Sequence, residues 1–582
     1  MRHFSLSILL LLSIVLVAPD IGFGFTETKS YILITDKDIA KLGAGRIQTV
    51  LNMVPGVHAG DSYISIRGIY KVRVVKDGKI INDPTSNHGG VKWETVSLEA
   101  VESIKIYKNS GGAAFGSDAS GGVIIITTRE KNDSSGFMQV HGGNFHTLHS
   151  YFSCQTSRDK LSLSGAMGID KTNGFRKNSK KKKLMVQGDL AYFVDNKTRF
   201  SLFASKISEN RGSPGLNAYP TLEASYSYDL FSSLFTAELS GFKNRLSYTD
   251  AIKKNLNPAK NLDKELKIKK LREELTKHLP LDFPFNIELG TGFEKAEAAS
   301  TGFLTKKENS IWALSVLSGK LSDLSDNLIP IQLSLGLRLE DYSNFGRFLS
   351  PELTTGIKHD FWSLRLNLSK THNMPSFYQR YYQSTSMKPN PDLNPEKAEN
   401  LSLSLSLKLS PGINLDFSPF YSRITDRITF LREGSTGSYV NLGKVIYKGI
   451  DMSWDIKFTD YLNLKTSYTY LDAKDDNTGL FLTSKPRHKA MATLVYRPVQ
   501  PLVMRLSIKY SSKVFMNKSN TKTIDSYVIE DLRMEYKKQI PFLRAPVTFF
   551  MEVKNLADKF YMYSDGYSAP PRTWITGFQV KF

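Results

Sequence analysis

The glycine-rich stretch SGGAAFGSDASGGVIIITT (110–128) is the first place in this sequence where residue types and spacing suggest chemistry. Glycine-rich loops bind phosphate when they lead into a helix N-terminus, whose free N–H groups face the anion. Here the glycines lead into Val123–Thr128, a β-branched run that is typical of a strand. No Lys-Ser or Lys-Thr pair follows the last glycine. The pattern therefore favours a tight structural turn over a nucleotide site.

Two further sets of side chains could bind a metal ion. His141, His146 and His149 flank a predicted hairpin and could ligate haem iron, although histidines beside a turn are usually solvated. The second set consists of carboxylates in one predicted loop: Asp472, Asp475 and Asp476. Oxygen ligands of this kind suit Ca²⁺, but an acidic loop is more often simply hydrated. The sequence thus leaves a structural calcium ion open and predicts no other cofactor.

The N-terminus predicts export from the cytoplasm. Arg2 precedes an apolar stretch (residues 4–17), and the small residues Gly22 and Gly24 mark a cleavage site. Residues 1–24 are therefore predicted to form a secretory signal peptide. The single cysteine of the sequence, Cys154, allows no internal disulfide and is interpreted as an ordinary strand residue.

The net charge of +21 has to be interpreted together with this export. In a cytoplasmic protein such a charge would suggest nucleic acid, but an exported chain meets lipid head groups, surface polysaccharide or an anionic ligand instead. The densest positive cluster, Lys180–Lys183, follows a predicted turn and is interpreted as solvated. No nucleic-acid partner is predicted.

From about residue 132 onward, apolar and polar residues alternate. In LSLSLSLKL (401–409) the leucines share one face and the serines and lysine the other, which is the period of a strand. About twenty-two such segments fit between Gly136 and Phe582, with room for tilted strands of about 10 residues that cross a bilayer. The mean hydropathy of −0.27 agrees with a barrel that is apolar only on its lipid face.

One segment of this region is ambiguous. NLDKELKIKKLREELTKHL (261–279) carries leucines at helical spacing, yet Leu266 and Ile268 also alternate as they would in a strand. The number of strands that a barrel requires favours a strand with a charged lumen face.

Residues 25–131 show a different sequence pattern from the alternating region. A first strand (YILIT), a helix capped by Asp36 and a stop at Pro55 are followed by three short strands with a turn at Asp77. This order predicts a small α+β domain.

Both regions resemble the TonB-dependent outer-membrane receptors. The motifs that carry the resemblance are LNMVPGV, ISIRG, VVKDGKIIND, GAAFGSDASGGVIIITT, NMPSFYQRYY, NPDLNPEKAEN, NLGKVIYKGIDM and VKNLADKFY. The resemblance implies an all-β membrane protein of the outer membrane: a 22-stranded antiparallel transmembrane β-barrel (132–582) whose lumen holds an N-terminal α+β plug domain (25–131). The glycines of 110–128 then belong to the last segment of the plug.

The resemblance also implies partners and roles for single residues. The partners are periplasmic TonB, lipopolysaccharide or other outer-membrane lipid, and the outer-membrane assembly machinery, for which Phe582 is the signal. Arg67 and Gly68 are expected to anchor the plug to the barrel. The segment 25–35 is either the TonB-coupling strand or the first plug strand, and its coupling candidates are Glu27, Thr28, Tyr31, Ile32 and Leu33. Ligand contacts are expected from Asp61, Tyr63, Asn87, His88, Tyr378, Tyr381 and Tyr382.

The function that the resemblance implies is active transport without covalent chemistry. A ferric siderophore or similar metal chelate is the leading hypothesis, because a basic lumen would concentrate anions. Cobalamin or another corrinoid is the alternative, since the chain is compact and its loop aspartates could hold Ca²⁺. Haem uptake and a receptor used only for adhesion are further alternatives. The sequence contains no Gly-x-Ser-x-Gly and no His-Glu-x-x-His motif, so it predicts no enzyme.

Overall fold

The computed structural model describes residues 31–42, 46–86, 90–96, 98–128, 134–281, 285–322, 330–541 and 545–582. Within these ranges a small mixed sheet lies inside a closed barrel of 22 strands. The predicted signal peptide (1–24) falls outside the described residues. None of the described helices is long and apolar enough to cross a membrane.

The N-terminal unit, called the plug, is built on a five-stranded sheet of order β1-β6-β7-β4-β5. Its strands are β1 (Tyr31–Thr35), β4 (Val72–Lys76), β5 (Lys79–Ile80), β6 (Val101–Lys108) and β7 (Gly122–Thr128). β4 pairs with β7 in parallel, and the other neighbours pair antiparallel. A separate hairpin joins β2 (Val57–Ala59) to β3 (Ile64–Ile66), and the helices are α1 (Asp36–Leu42), α2 (Ile47–Asn52) and α3 (Gly112–Phe115).

The core of the plug forms because β-branched residues fill the strands. Ile64, Ile104, Ile106 and Ile124 are fully buried and pack in one cluster with Leu51 of α2. The predicted helix after the first strand is present, but Asp36 is not its cap. Thr35 and Asp38 instead exchange hydrogen bonds: the Thr35 N–H donates to Asp38 Oδ2 (3.0 Å), and the Asp38 N–H donates to Thr35 Oγ1 (3.3 Å). This reciprocal arrangement satisfies two free donors at the start of the helix.

All 22 barrel strands pair antiparallel with their neighbours, and β35 closes the barrel against β8. The strands are β8 (Ser135–Gly143), β9 (Thr147–Arg158), β10 (Leu161–Thr172), β11 (Lys181–Asp195), β12 (Thr198–Gly212), β13 (Ser225–Leu239), β14 (Phe242–Asn257), β15 (Leu262–Pro280), β16 (Phe285–Ser300), β17 (Phe303–Lys320), β18 (Ile331–Tyr342), β19 (Gly346–Lys358), β20 (Trp362–Asn373), β21 (Glu396–Ser410), β22 (Ile413–Thr425), β25 (Lys444–Lys457), β26 (Leu462–Asp475), β27 (His488–Tyr496), β28 (Leu502–Ser511), β31 (Tyr527–Ile540), β32 (Ala545–Lys554) and β35 (Thr573–Lys581).

The alternation of the sequence matches the two faces of the barrel wall. In β21, Leu401 is 41% exposed on the outside, whereas the next residue, Ser402, is 4% exposed against the interior. The ambiguous segment 261–279 is confirmed as a strand, since β15 pairs along its length with β14 and β16. Its charged residues Arg272 and Glu274 face the lumen as predicted. Hydrogen-bonded pairing on both edges of β15 outweighs the helical spacing of its leucines.

The two ends of the barrel differ in their connections. At one end the strands are joined by long loops, which contain α4 (Phe377–Tyr381) and three small hairpins. The hairpins are β23 (Ile428–Glu433) with β24 (Thr436–Asn441), β29 (Val514–Phe515) with β30 (Thr523–Ile524), and β33 (Met562–Ser564) with β34 (Tyr567–Ser568). Long loops mark the extracellular end of such barrels, so the opposite end is periplasmic.

Candidate functional site

One face of the plug is bonded firmly to the barrel wall through Arg67. Its guanidinium is 2% exposed, lies 2.9 Å from Asp451 of β25 and stacks 4.2 Å from the ring of Phe420. Lys108 of β6 binds the same Asp451 carboxylate at 2.9 Å. One barrel carboxylate therefore pairs with two buried plug cations, whose burial without a countercharge would be very costly.

The glycine-rich segment does bind an anionic group, but that group belongs to the barrel. The N–H groups of Gly111 and Ala113 donate to the carboxylate of Glu352 on β19, at 3.1 and 3.3 Å, and the Ser110 hydroxyl donates to it at 2.7 Å. Gly122 has φ +129°, and a Cβ there would come 2.0 Å from the carbonyl oxygen of Tyr107. The glycines thus serve close backbone packing and attachment to the wall.

The opposite face of the plug borders an open cavity of about 1300 Å³. It extends along the wall from β8 to β18 and past the β4–β5 hairpin of the plug. Carboxylate and cationic side chains line it in equal numbers. The expectation of a basic lumen is therefore wrong for this cavity, because its lysines and arginines face acidic partners such as Glu274 and Glu294.

A group of charged and aromatic side chains, called the vestibule, lies around Asp61 near the extracellular end of the plug. Asp61 sits at this end, the plug tip, and the positive charges of Arg46, Lys181, Lys554 and Lys183 surround it. Enclosure by the protein would raise the pKa of Asp61, but these cations lower it below its usual value. Lys183 was predicted to be solvated, yet it is buried 3.7 Å from an oxygen of Asp170, because alternate residues of β11 face inward.

Tyrosine side chains form the other part of the vestibule. Tyr63 lies beside Asp61, packs 6.2 Å from the ring of Tyr70 and places its hydroxyl 3.2 Å from Nε2 of His58. The ring of Tyr561 packs 4.7 Å from the ring of Tyr527 at a tilt of 45°, and its hydroxyl is hydrogen-bonded to that of Tyr563 at 3.0 Å. Burial raises the pKa of Tyr63, Tyr561 and Tyr563, so these phenols remain hydrogen-bond donors. Cations together with phenol donors suit an anionic, oxygen-rich ligand.

Tyr527, Tyr561 and Tyr563 were not among the predicted ligand residues. The signal for two of them was in the sequence, since KFYMYSDGY (559–567) concentrates aromatic residues in a long loop. What the sequence does not reveal is that this loop approaches the plug tip.

An extracellular loop also contacts the predicted anchor Gly68. Lys485, between β26 and β27, donates to the carbonyl oxygen of Gly68 and lies 3.7 Å from the ring of Tyr70. Burial lowers the pKa of Lys485 to about 7, and the nearby charge of Arg427 adds to the effect. Through this contact the outer loops reach the turn that carries Arg67.

The predicted ligand residues fall into three groups. Asp61 and Tyr63 lie in the vestibule, and Asn87 and His88 lie outside the described residues. The third group is carried by α4 and the residue after it: Tyr378, Tyr381 and Tyr382. Tyr378 stacks on Tyr382 at 4.4 Å, and Tyr382 is 3% exposed, with the ammonium group of Lys264 4.5 Å from its ring. A ligand at this place would first meet Tyr378 and Tyr381.

The predicted calcium ligands do not converge. Asp475 accepts hydrogen bonds from the N–H groups of Asn477 and Thr478, and Asp476 pairs with Lys444. Asp472 lies 3.7 Å from Lys474. Over the described ranges, no group of three or more His, Cys, Asp or Glu side chains is placed to hold a metal ion. The calcium hypothesis thus finds no support in the positions of these carboxylates.

The histidines considered as haem ligands make other contacts in the structure. The rings of His141 and His149 stack 4.6 Å apart on the inner wall, and His149 Nδ1 lies 2.6 Å from Asp170. His146 occupies the turn between β8 and β9. Among the described residues, neither ring nitrogen of His141 has a hydrogen-bond partner.

The segment expected to couple to TonB is divided by the structure. Glu27 and Thr28 lie outside the described residues. Tyr31, Ile32 and Leu33 belong to β1, the edge strand of the plug sheet, where they pair with β6. At the other end of the chain, the Phe582 N–H donates to the Gly136 carbonyl oxygen at 3.0 Å, next to the barrel seam.

Comparison with known families covers both units of this fold. A family model described as TonB dependent receptor-like, beta-barrel, matches residues 221–556. A second model, the TonB-dependent Receptor Plug Domain, matches residues 26–123.

Individual relatives match along most of the chain. A vitamin B12 transporter, BtuB, of Photobacterium profundum is 23% identical, with 94% of this chain and 92% of the relative covered. A probable TonB-dependent siderophore receptor, PirA, of Acinetobacter baumannii is 23% identical, with 78% and 76% covered. The crystal structure of the siderophore receptor PirA from Acinetobacter baumannii superposes with a TM-score of 0.78 at 18% identity and covers 95% of this chain and 98% of that one. At 18% identity, this superposition shows a shared fold.

Proposed function

This chain belongs to the TonB-dependent receptor family, a multi-pass β-barrel of the outer membrane, and from that premise we propose that it imports a ferric siderophore. The ligand binds first in the vestibule and then passes beside the plug when TonB supplies energy. The observation that carries this proposal is the vestibule itself: cations and phenol donors surround the plug tip at the extracellular end.

Charge in the vestibule explains why an anionic chelate fits better than a neutral ligand. Lys181 and Lys554 both act on Asp61. Lys183 and Lys554 also face Asp170 and Glu552, so the four cations around Asp61 exceed these three carboxylates by one. A field of this kind raises the local concentration of anions and speeds their encounter. The cavity beside the plug is electrically balanced, so selection by charge belongs to the entrance and not to the path below it.

Equilibrium binding to the purified full-length receptor tests this assignment. The probes are a ferric catecholate, a ferric hydroxamate, ferric citrate and cobalamin. Replacing both vestibule lysines (Lys181→Gln with Lys554→Gln) is expected to weaken binding of the anionic chelate about tenfold, because each removes an attractive charge. Lys243→Gln is the matched control, since Lys243 faces the periplasmic end of the same lumen and pairs with Glu238. An equal loss of chelate affinity in the double variant and in the Lys243 control contradicts the proposal. So does the failure of the wild-type protein to bind any ferric chelate.

Energy coupling is the second part of the proposal. TonB is expected to bind the chain ahead of β1 by adding a strand, with Glu27 and Thr28 in the contact. Tyr31, Ile32 and Leu33 are already committed to the plug sheet, which favours the residues before them as the coupling segment.

Cobalamin is a second candidate because a vitamin B12 transporter matches almost the full length of the chain. Titration of the same protein with cobalamin, with and without a calcium chelator, separates the two cargoes. Tight cobalamin binding with no response to ferric chelates would replace the siderophore assignment.

A further inference from the structure

Two lysines on the outer surface of the barrel have no part in the proposed transport. Lys171, near the end of β10, and Lys182, near the start of β11, are direct cross-strand partners, and both are exposed. Ala166 and Gln187 on the same two strands line the lumen cavity. Since successive side chains alternate between the faces of a strand, Lys171 and Lys182 point away from the lumen.

This lysine pair is not neutralised by the protein. Like charges directly opposite one another destabilise a strand pair. Their neighbours on the adjoining strands, Leu148 and Asn210, are uncharged. In the part of the chain that the structure describes, neither ammonium group is within ion-pair distance of a carboxylate. The repulsion would be relieved by an anion that bridges the two side chains.

The surroundings of the pair identify what kind of anion this is. On the periplasmic side of the two lysines, the outward-facing residues of β10 and β11 are large, apolar and exposed: Met167, Leu184 and Val186. Such a surface faces lipid acyl chains. The lysines lie where that surface ends at the extracellular rim, which is the depth of lipid headgroups.

Another outward-facing group on the same rim provides a comparison. Lys254 of β14 and Lys267 of β15 both lie 2.6 Å from Glu265. There the barrel supplies its own countercharge, so an external anion gains little. The lysine pair on β10 and β11 differs from this group in lacking a carboxylate.

We propose that Lys171 and Lys182 bind the phosphorylated headgroup of an outer-leaflet lipid, whose acyl chains lie along β10 and β11. The site is on the outside of the barrel and is independent of the cargo. Each lysine near an anionic membrane surface strengthens association several-fold, so removal of both is expected to weaken it by about tenfold or more.

Native mass spectrometry of the folded full-length protein in detergent tests the site. The probes are purified lipopolysaccharide, the same glycolipid after dephosphorylation, and inorganic phosphate as competitor. Lys171→Ser with Lys182→Ser is expected to reduce binding of lipopolysaccharide by about tenfold. Lys267→Ser is the matched control, because it removes an exposed outward lysine while Glu265 keeps Lys254.

A second variant keeps the test valid if the double replacement disturbs folding. Lys171→Glu places opposite charges across the strands, which favours the barrel while it abolishes the phosphate site. Its thermal unfolding temperature should equal or exceed that of the wild type, and its lipopolysaccharide binding should fall. Wild-type binding by either variant, or equal binding of the dephosphorylated glycolipid, overturns the proposal. Inorganic phosphate is expected to displace the glycolipid only at a large excess, because it lacks the acyl chains. Displacement by an equal concentration of inorganic phosphate would assign the pair to a free anion and likewise overturn the proposal.

Discussion

Asp451 holds two buried cations of the plug, Arg67 and Lys108, and the strength of plug docking depends on it. Asp451→Asn leaves both cations without a countercharge, so we expect a loss of about 3–5 kcal/mol in the free energy of unfolding. Thermal unfolding and protease accessibility of the plug measure the effect. Asp455→Asn on the same strand breaks the half-exposed pair with Lys465 and should cost less than about 1 kcal/mol. Similar losses in the two variants would contradict the anchoring role.

Lys79 gives the plug a specific dependence on pH. It is 6% exposed, and burial together with the charge of Lys76 lowers its pKa to about 7. The ammonium group faces a backbone oxygen of Ser233 and the ring of Phe203. Because the pKa in the unfolded chain is about 10.4, the unfolded state binds more protons between about pH 7 and 10, and stability rises with pH in that window.

Lys79→Met should remove this part of the pH dependence. The variant is expected to be more stable than the wild type near pH 7 and to lose the advantage as the pH rises past about 10.4, because the wild-type amine then becomes neutral in both states. Thermal unfolding at several pH values gives the slope of stability against pH for the wild type and for the variant. Lys37→Met, at an exposed position of α1, serves as the control. An unchanged slope in the Lys79 variant would show that the amine is not buried as described.

At the scale of elements, β7 can begin only with a residue that lacks a side chain. Gly122→Ala would place a Cβ 2.0 Å from a backbone oxygen of β6 at φ +129°, so the sheet must open. We expect a loss of more than about 3 kcal/mol, with protease cleavage of the plug inside an intact barrel. Gly188→Ala on the barrel has its nearest contact at 3.7 Å and should leave both units stable.

Local patterns predicted the elements well, because strand alternation and turn residues act over a few positions. The sequence identified β15 as a strand once the whole barrel was counted, and its ISIRG motif pointed to Arg67, which the structure pairs with Asp451. It could not supply Asp451 or Glu352, which contact the plug from positions hundreds of residues away. The capping error at Asp36 arose because two neighbouring residues could both start the helix, and only the side-chain geometry of Thr35 and Asp38 distinguishes them.

At the scale of the whole molecule, buried ionic groups bond the plug to one part of the barrel wall, and an open cavity lies along another part. Arg67 and the glycine-rich segment attach to β25 and β19, whereas the cavity runs along the wall between β8 and β18, which the plug touches at points such as Lys79. A ligand that enters the vestibule therefore has space along one wall. We expect transport to enlarge this existing space while the bonded side holds the plug in the lumen.

A reversible disulfide between β1 and β6 tests which segment transmits the force of TonB to the plug. In a Cys154→Ser background, Leu33→Cys with Lys105→Cys joins register partners of β1 and β6. We expect siderophore uptake to continue after oxidation, because the coupling segment lies before β1 and the strand stays in its sheet. Uptake by oxidised and reduced cells is compared. Loss of uptake on oxidation, with recovery on reduction, would assign coupling to β1 itself.

The pairing of β35 with β8 has a consequence for the order of events in biogenesis. These strands come from opposite ends of the barrel sequence, and β35 ends one residue before the C-terminus. Closure of the ring needs both strands, so the edges of β8 and β35 stay unpaired until the two strands meet. Until that seam forms, both edges can pair with another chain, so the time to closure sets how long the barrel is exposed to aggregation.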